Sequence, residues 1–377
     1  MRASALSKFS NLTGDRMFAI IVLILVVGGI AMFSSAALGL LARADASPWR
    51  IAITQLLLGL LPGMIALIGL RFVKPQLIGK SVIPFYIFSI LLTALVFVPG
   101  LGVNINGATR WIGIGPITVQ PAEFLKLAVI LMFSAYLAQM KNQLHDLRYG
   151  LLGFAGIVGI PCLILLMQPN TSTVLIIGST TLVLYFLAGA PRRDIPIIIG
   201  TALLGLTILV FMRPYLMNRV MTFLHPHDNG HTSSYQIQQS LIAIGSGGLL
   251  GRGYGQSVQK FNYLPEPVGD SVFAVYGEEF GFLGATLLVI MFTLFAMRGL
   301  MIAAEAANTF GALAATGLTL IITFSAYMNV AAMLGVMPLT GLPLPFVSHG
   351  GTALMASLAS VGIILNIAAH KNKRKTL

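Results

Sequence analysis

Four of the chain's 11 acidic residues, Glu266, Asp270, Glu278 and Glu279, fall in the stretch YLPEPVGDSVFAVYGEE at residues 263–279. Asp270 stands where a polar stretch meets an apolar run. A carboxylate at such an edge loses hydration, which raises its pKa unless a nearby cation favours the charged form. That combination suits a general base that takes a proton from a hydroxyl. The competing role is a helix N-cap, for which Asp is a preferred residue.

Glu278 and Glu279 lie further into the apolar run, where an isolated charge is costly. For a helix starting near residue 271, Glu278 falls close to the Asp270 face and Glu279 about 100° from Glu278. They could line a polar cavity or form structural ion pairs. Glu123 and Lys126, at i and i+3, share a helix face and can satisfy each other. Lys126 could instead meet Glu278 or Glu279 from a neighbouring helix. Arg110, between a flexible NING stretch and Trp111, and Lys260, shortly before Asp270, are cations suited to an anionic headgroup. Arg213, Arg219 and Arg252 could serve similarly, with a solvated surface role as the default.

These residues must be held by elements in a membrane. Hydrophobic residues make up 56% of 377, charged residues 9%, and mean hydropathy is +0.89. A soluble domain carries about 25% charged residues. Apolar runs predict an all-α polytopic protein of about ten transmembrane helices, at 17–39, 52–72, 82–99, 121–140, 150–168, 172–190, 194–212, 272–297, 309–333 and 350–369. The first run is too long for a signal peptide and reads as a retained span. Most of the 23 lysines and arginines fall at the N-terminus, in the 2–3, 4–5, 6–7 and 8–9 connections, and in the tail HKNKRK. Both termini are therefore expected to be cytoplasmic. The formal charge of +12 follows from that bias and implies no nucleic-acid partner.

Two outer segments stand apart. Residues 100–120 are too polar and Gly-rich for a span and too apolar for an ordinary loop, so a re-entrant-like loop is expected. Residues 213–271 form a large extracytoplasmic loop between spans seven and eight, beyond the usual connection length. Within it, SYQIQQSLIAIGSGGLLG has helical spacing, as an interfacial or re-entrant helix would. The glycines of GSGGLLGRGYGQS match no phosphate-loop pattern and fit close packing better. His225, His227 and His231 have no zinc-motif spacing, and the lone Cys162 excludes a disulfide framework.

Taken in order, INGATRWIGIGPITVQPAEFLKLA (105–128), MQPNTST (167–173), FLAGAPRR (186–193), YQIQQSLIAIGSGGLLGRGYGQSVQKFNYLPE (235–266), DSVFAVYGEEFGFLG (270–284) and NVAAMLGVMPLTGLPLPFVSHGGTA (329–353) resemble the SEDS family of shape, elongation, division and sporulation proteins. The resemblance runs through most of the chain, as a single domain over 1–377. GATRW, YQ…QSLIAIGSGG and DSVFAV look most like the division branch, FtsW.

The resemblance implies a peptidoglycan glycosyltransferase at the outer face of the bacterial cytoplasmic membrane, at the septum, that polymerises lipid II. It implies a class B penicillin-binding protein and other division proteins as partners, within membrane lipids. By the same resemblance Asp270 is the catalytic carboxylate, Arg110 and Lys260 bind substrate, and Glu123, Lys126, Glu278 and Glu279 form a cavity charge network. A divalent cation, Mg or Mn, could assist at a site the motifs do not place. Two residues depart from the family: Asn170 replaces the usual Asp of QPDxGT, and His349 replaces the Tyr of SYGG. His349 would add a titrating group near the outer cavity. A lipid II flippase and a non-catalytic scaffold of the division synthase are the alternatives.

Overall fold

The structure is a computed structural model that describes residues 15–42, 52–105, 108–115, 117–225 and 232–370. The chain forms an all-α membrane bundle with one small sheet. Helix α1 is Arg16–Leu38, α2 is Ala52–Phe72, and α3 is Pro75–Ala94. Strands β1 (Gly102–Ile105), β2 (Ala108–Ile114) and β3 (Ile117–Val119) follow. Then come α4 (Pro121–Met140), α5 (Leu151–Met167), α6 (Thr171–Leu187) and α7 (Asp194–Met212). The last are α8 (Pro214–Leu224), α9 (Thr232–Ser246), α10 (Val272–Ala304), α11 (Thr309–Met333) and α12 (Gly351–Ala369).

Among the described residues, 8 helices are long and apolar enough to cross a membrane. The expected fifth and sixth spans are present as the shorter apolar helices α5 and α6. They are shortened by the Gln168–Asn170 turn between them and by Gly189, at φ 91°, after α6. The expected span at 272–297 continues to Ala304, and the one at 82–99 begins earlier, at Pro75.

Residues 100–120 do not re-enter as a helix. They form an antiparallel sheet in the order β1-β2-β3, with Val103 opposite Trp111 and Gly113 opposite Thr118. The physical reason is local: Asn-Gly at 106–107 is a strong hairpin signal in the sequence, and Gly115, at φ 62°, supplies the turn after β2. In the long 213–271 connection, α9 accounts for the helical spacing, and α8 is a further helix that the spacing did not mark. Of the three loop histidines, His225 ends α8, while His227 and His231 lie outside the described residues.

Helices α4, α11 and α12 form the centre, each with about two-thirds or more of its most apolar stretch buried. α4 packs on α3 and α11, α12 on α2, and α10 on α1, α9 and α11. The central helices bury hydroxyls by returning them to the preceding turn, as Thr323 Oγ1 does to Thr319 O and Ser360 Oγ to Ala356 O. That satisfies polar groups where water is absent. α7 has none of its window buried, as an apolar-all-round sequence facing lipid would. Cys162 is half-buried and free.

Candidate active site

Asp270 closes a run of turns immediately before α10. Ser271, not Asp270, is the residue flanking the helix, and Ser271 makes no side-chain cap bond. The carboxylate is turned towards α9 instead, where Gln236 Nε2 donates to Asp270 Oδ1 at 3.1 Å and to Ser271 Oγ at 2.9 Å. The main chain is fixed from the other side. Asn329 Nδ2, on α11, donates to Asp270 O and to Leu342 O, each at 2.7 Å. Asp270 is thus held by two helices while its Oδ2 remains near the open side of Gly341.

Burial pushes the Asp270 carboxyl up from 3.8 to about 6, and the neighbouring Glu266 carboxylate pushes the same way. The Gln236 hydrogen bond and the Arg219 charge oppose the rise. A base of that pKa is ionised at neutral pH, yet a better proton acceptor than an ordinary aspartate.

Arg219 on α8 is the cation of this site. Its guanidinium lies 4.5 Å from the centre of the Tyr215 ring, and Nη1 reaches Thr340 O at 3.4 Å. Burial lowers its pKa, the Arg110 charge adds to the fall, and Tyr215 and Asp270 oppose it. Arg110, on β2, donates Nε to Gln168 O at 3.2 Å and Nη2 to Pro169 O. The sheet therefore brings Arg110 to the turn before α6. Ser172 Oγ in turn donates to Thr340 O at 2.6 Å, so the 168–173 and 340–342 turns form one rim.

Lys260 is elsewhere. It is 0% exposed, and its Nζ contacts Glu279 Oε1 at 2.8 Å, Gly255 O at 2.9 Å and Ser35 Oγ at 3.0 Å. Its three donors are filled within the protein, so the substrate-binding role expected for it is not what the geometry provides. Glu279 also accepts from Ser35 Oγ at 2.6 Å. Glu278 accepts from Ser257 Oγ at 2.5 Å, Val258 N at 3.0 Å and Gln259 N at 3.2 Å, with Arg252 Nη1 at 3.5 Å. Both carboxylates hold the 252–260 loop, and neither reaches the Asp270 carboxylate.

Glu123 and Lys126 pair with each other at 2.8 Å, so Lys126 does not cross to α10. They line a cavity of about 30 Å³ beside Ser325, Pro343 and Ser357, room for a water or two.

The glycine-rich segment has a structural task. Gly281, at φ 65° and ψ −165°, breaks α10, and the break frees carbonyl groups. Arg252 N and Gly253 N donate to Glu278 O and Glu279 O at 3.0 and 2.9 Å, and Phe282 N donates back to Gly248 O at 2.8 Å. A loop strand thus completes the broken helix.

Asn170 accepts from Thr173 Oγ1 at 2.7 Å, and its buried Nδ2 has no partner among the described residues. His349 packs on Phe33 with ring centres 5.9 Å apart, and its N donates to Val268 O at 2.7 Å. Burial lowers the imidazole pKa, which keeps the ring neutral near pH 7. Sequence reasoning did not single out Gln236 or Asn329 and left Arg219 as surface charge. The available signal for Asn329 was a polar side chain on a mostly apolar helix, whereas Gln236 is one of three glutamines on α9 and had no such mark.

Among the described residues, no three His, Cys, Asp or Glu side chains gather as metal ligands.

A family model described as a cell cycle protein, covering FtsW, RodA and SpoVE, matches residues 15–373. Stage V sporulation protein E of Bacillus subtilis is 38% identical, over 74% of this chain and 76% of its own. A probable peptidoglycan glycosyltransferase FtsW of Idiomarina loihiensis is 33% identical, over 96% of this chain and 88% of its own. A chain from a peptidoglycan synthase complex that coordinates polymerization and crosslinking superposes with a TM-score of 0.72 at 27% identity, covering 90% of this chain and 95% of that one. The Thermus thermophilus rod shape determining protein RodA gives 0.65 at 27% identity, covering 93% and 96%.

Proposed function

The chain belongs to the FtsW/RodA/SpoVE family of cell cycle proteins, and from that premise we propose that it is a peptidoglycan glycosyltransferase of the division branch. It polymerises lipid II into glycan strands at the outer face of the cytoplasmic membrane. The observation that carries the reading is the Asp270 carboxylate, oriented by Gln236, with a raised pKa beside Arg219.

Asp270 takes the proton from the acceptor sugar's 4-hydroxyl as that oxygen attacks the anomeric carbon of the growing chain. The bond from that carbon to the lipid pyrophosphate breaks, and the leaving group carries away the electron pair. Arg219, with Arg110 behind it, faces the charge that develops on the pyrophosphate. No acidic cluster among the described residues offers a site for a divalent cation, so Mg or Mn would be carried in on the substrate's own phosphates, where it would supply further positive charge. Glu278, Glu279 and Lys260 hold the outer loop on which the site rests.

A class B penicillin-binding protein as partner and a septal location fit this reading. The likeness to a chain of a synthase complex supports the partner.

The test is polymer formation from labelled lipid II by purified protein, with and without such a partner, beside Asp270→Asn. Removal of a general base is expected to lower the rate by about 10²–10⁴-fold. A variant that polymerises at the wild-type rate would sink the base assignment. A wild type that moves lipid II between leaflets without joining it would favour transport, and one that does neither would favour a scaffold.

A further inference from the structure

At the far end of α10 from Asp270, a cavity of about 690 Å³ opens between the starts of α3 and α11 and the ends of α4 and α12. Small-ligand sites commonly measure about 300–1,000 Å³. Its polar wall carries Gln76, Lys80, Gln139, Asn308, Asn366 and His370, and no carboxylate is among its described lining residues. The remainder is apolar, with Phe310, Ile363 and Ile367 along one side. Glu305, at the end of α10, is the nearest acid in sequence and does not line it.

Two helices begin here. α3 starts at Pro75 behind Lys74 and α11 at Thr309 behind Asn308, and neither has an acidic residue in its first turn. Helix starts present unpaired N–H groups and a partial positive charge, which an anion usually satisfies. Asn308 Oδ1 accepts from Gly311 N at 2.7 Å.

A buried side chain in the wall is also incomplete. Asn366 is 1% exposed, and its Nδ2 donates to Leu70 O, Arg71 O and Val73 O at 2.8, 3.0 and 2.6 Å. Its Oδ1 has no partner among the described residues. A ligand suited to this wall carries a negative group for Lys80 and the helix starts, groups that hydrogen-bond with Gln76 and Gln139, and an apolar part. Lysine and arginine usage assigns this end of the bundle to the cytoplasmic side, where the leaflet is rich in anionic lipid.

We propose that the cavity binds a phosphate-bearing headgroup, supplied by an anionic glycerophospholipid of the cytoplasmic leaflet. Lys80 and the starts of α3 and α11 face the phosphate, and the Phe310–Ile363–Ile367 wall takes the glycerol and the first acyl carbons. The same phosphate chemistry could come from a free anion, so the test separates the two.

The purified full chain in detergent is titrated with short-chain phosphatidylglycerol, short-chain phosphatidylcholine and inorganic phosphate, and thermal unfolding is followed. Phosphatidylglycerol is expected to raise the unfolding temperature saturably, and phosphatidylcholine to leave it unchanged. Lys80→Ala, which loses one charged hydrogen bond, and Gln139→Glu, which sets a carboxylate against the phosphate, are both at exposed positions and each expected to weaken the response by about tenfold. Lys141→Ala, exposed at the same end but outside the cavity, is expected to respond as wild type does. A Lys80-dependent response to inorganic phosphate that equals the lipid response keeps the anion site and assigns it to free phosphate. Equal stabilisation by phosphatidylcholine, or undiminished response in both cavity variants, overturns the proposal.

Discussion

The residues alone left Asp270 between a helix N-cap and a general base, and the resemblance favoured the base; in the fold Ser271 takes the cap position and the Asp270 carboxylate accepts from Gln236 instead. With the carboxyl at about 6, the acid limb of kcat/KM should fall tenfold per pH unit below that value. Glu266→Gln removes a charge that raises the Asp270 pKa, so the limb should move to lower pH. Gln236→Ala removes a bond that lowers it, so the limb should move up. Limbs that stay in place in both variants would detach the profile from Asp270. Stability runs the other way from activity. Folding raises this carboxyl above 3.8, so the charged form opposes folding above pH 6, and the penalty disappears as pH falls from 6 to below 3.8. Asp270→Asn should therefore stabilise the fold at pH 8 by on the order of 1–2 kcal/mol after solvent screening, seen as a higher unfolding temperature. Lys260 could not be read correctly from its spacing, because lysines ordinarily keep their ammonium in water. Its full burial against Glu279 depends on Ser35, which arrives from α1. Lys260→Met leaves that carboxylate buried and unpaired, a loss of about 3–5 kcal/mol. Adding Glu279→Gln should recover most of the loss in a thermal unfolding assay. Unchanged stability in the single variant would return Lys260 to a solvated role.

At the scale of elements, hydropathy located most spans, because burial in lipid demands a long apolar run whatever packs beside it. It could not locate the sheet at residues 102–119, whose strands are shorter than a reliable alternation pattern. Arg110 reaches the rim through that sheet, so its partners at Gln168 and Pro169 were invisible with it. The break in α10 was equally hidden, since GEEFGFLG continues an apolar helical pattern through Gly281. The φ of 65° and ψ of −165° there belong to a region that only glycine occupies readily. A Cβ at Gly281 would also meet the backbone of Gly251 and Leu249. Gly281→Ala should cost about 1–3 kcal/mol in strain alone. Its specific signature is faster hydrogen exchange at the amides of Arg252 and Gly253, which now donate to Glu278 O and Glu279 O. Exchange at wild-type rates in this variant would mean that the loop holds without the break.

The whole molecule places two different chemistries at opposite ends of one bundle. Asp270 lies at the start of α10, and the Lys80 cavity lies beside the connection from α10 to α11. A membrane-spanning helix between them puts the two on opposite sides of the bilayer, and the lysine and arginine bias predicts that Asp270 faces outwards and the cavity the cytoplasm. That bias was readable from sequence because translocation itself acts on loop charge, with no knowledge of packing. Single cysteines test it in cells, in a background where Cys162 is replaced by Ala. Tyr263→Cys sits on the exposed turn before Asp270, and Gln143→Cys on the exposed turn after α4. A membrane-impermeant maleimide should label residue 263 in cells whose cytoplasmic membrane is intact. It should label residue 143 only after that membrane is permeabilised. Labelling in the reverse order would put Asp270 on the cytoplasmic side, out of reach of an outer-face polymerisation, and would turn over the proposed function together with the cytoplasmic assignment of the phosphate cavity. Labelling of both positions in intact cells would instead show the two ends on one side, which a bundle with α10 crossing the bilayer does not allow.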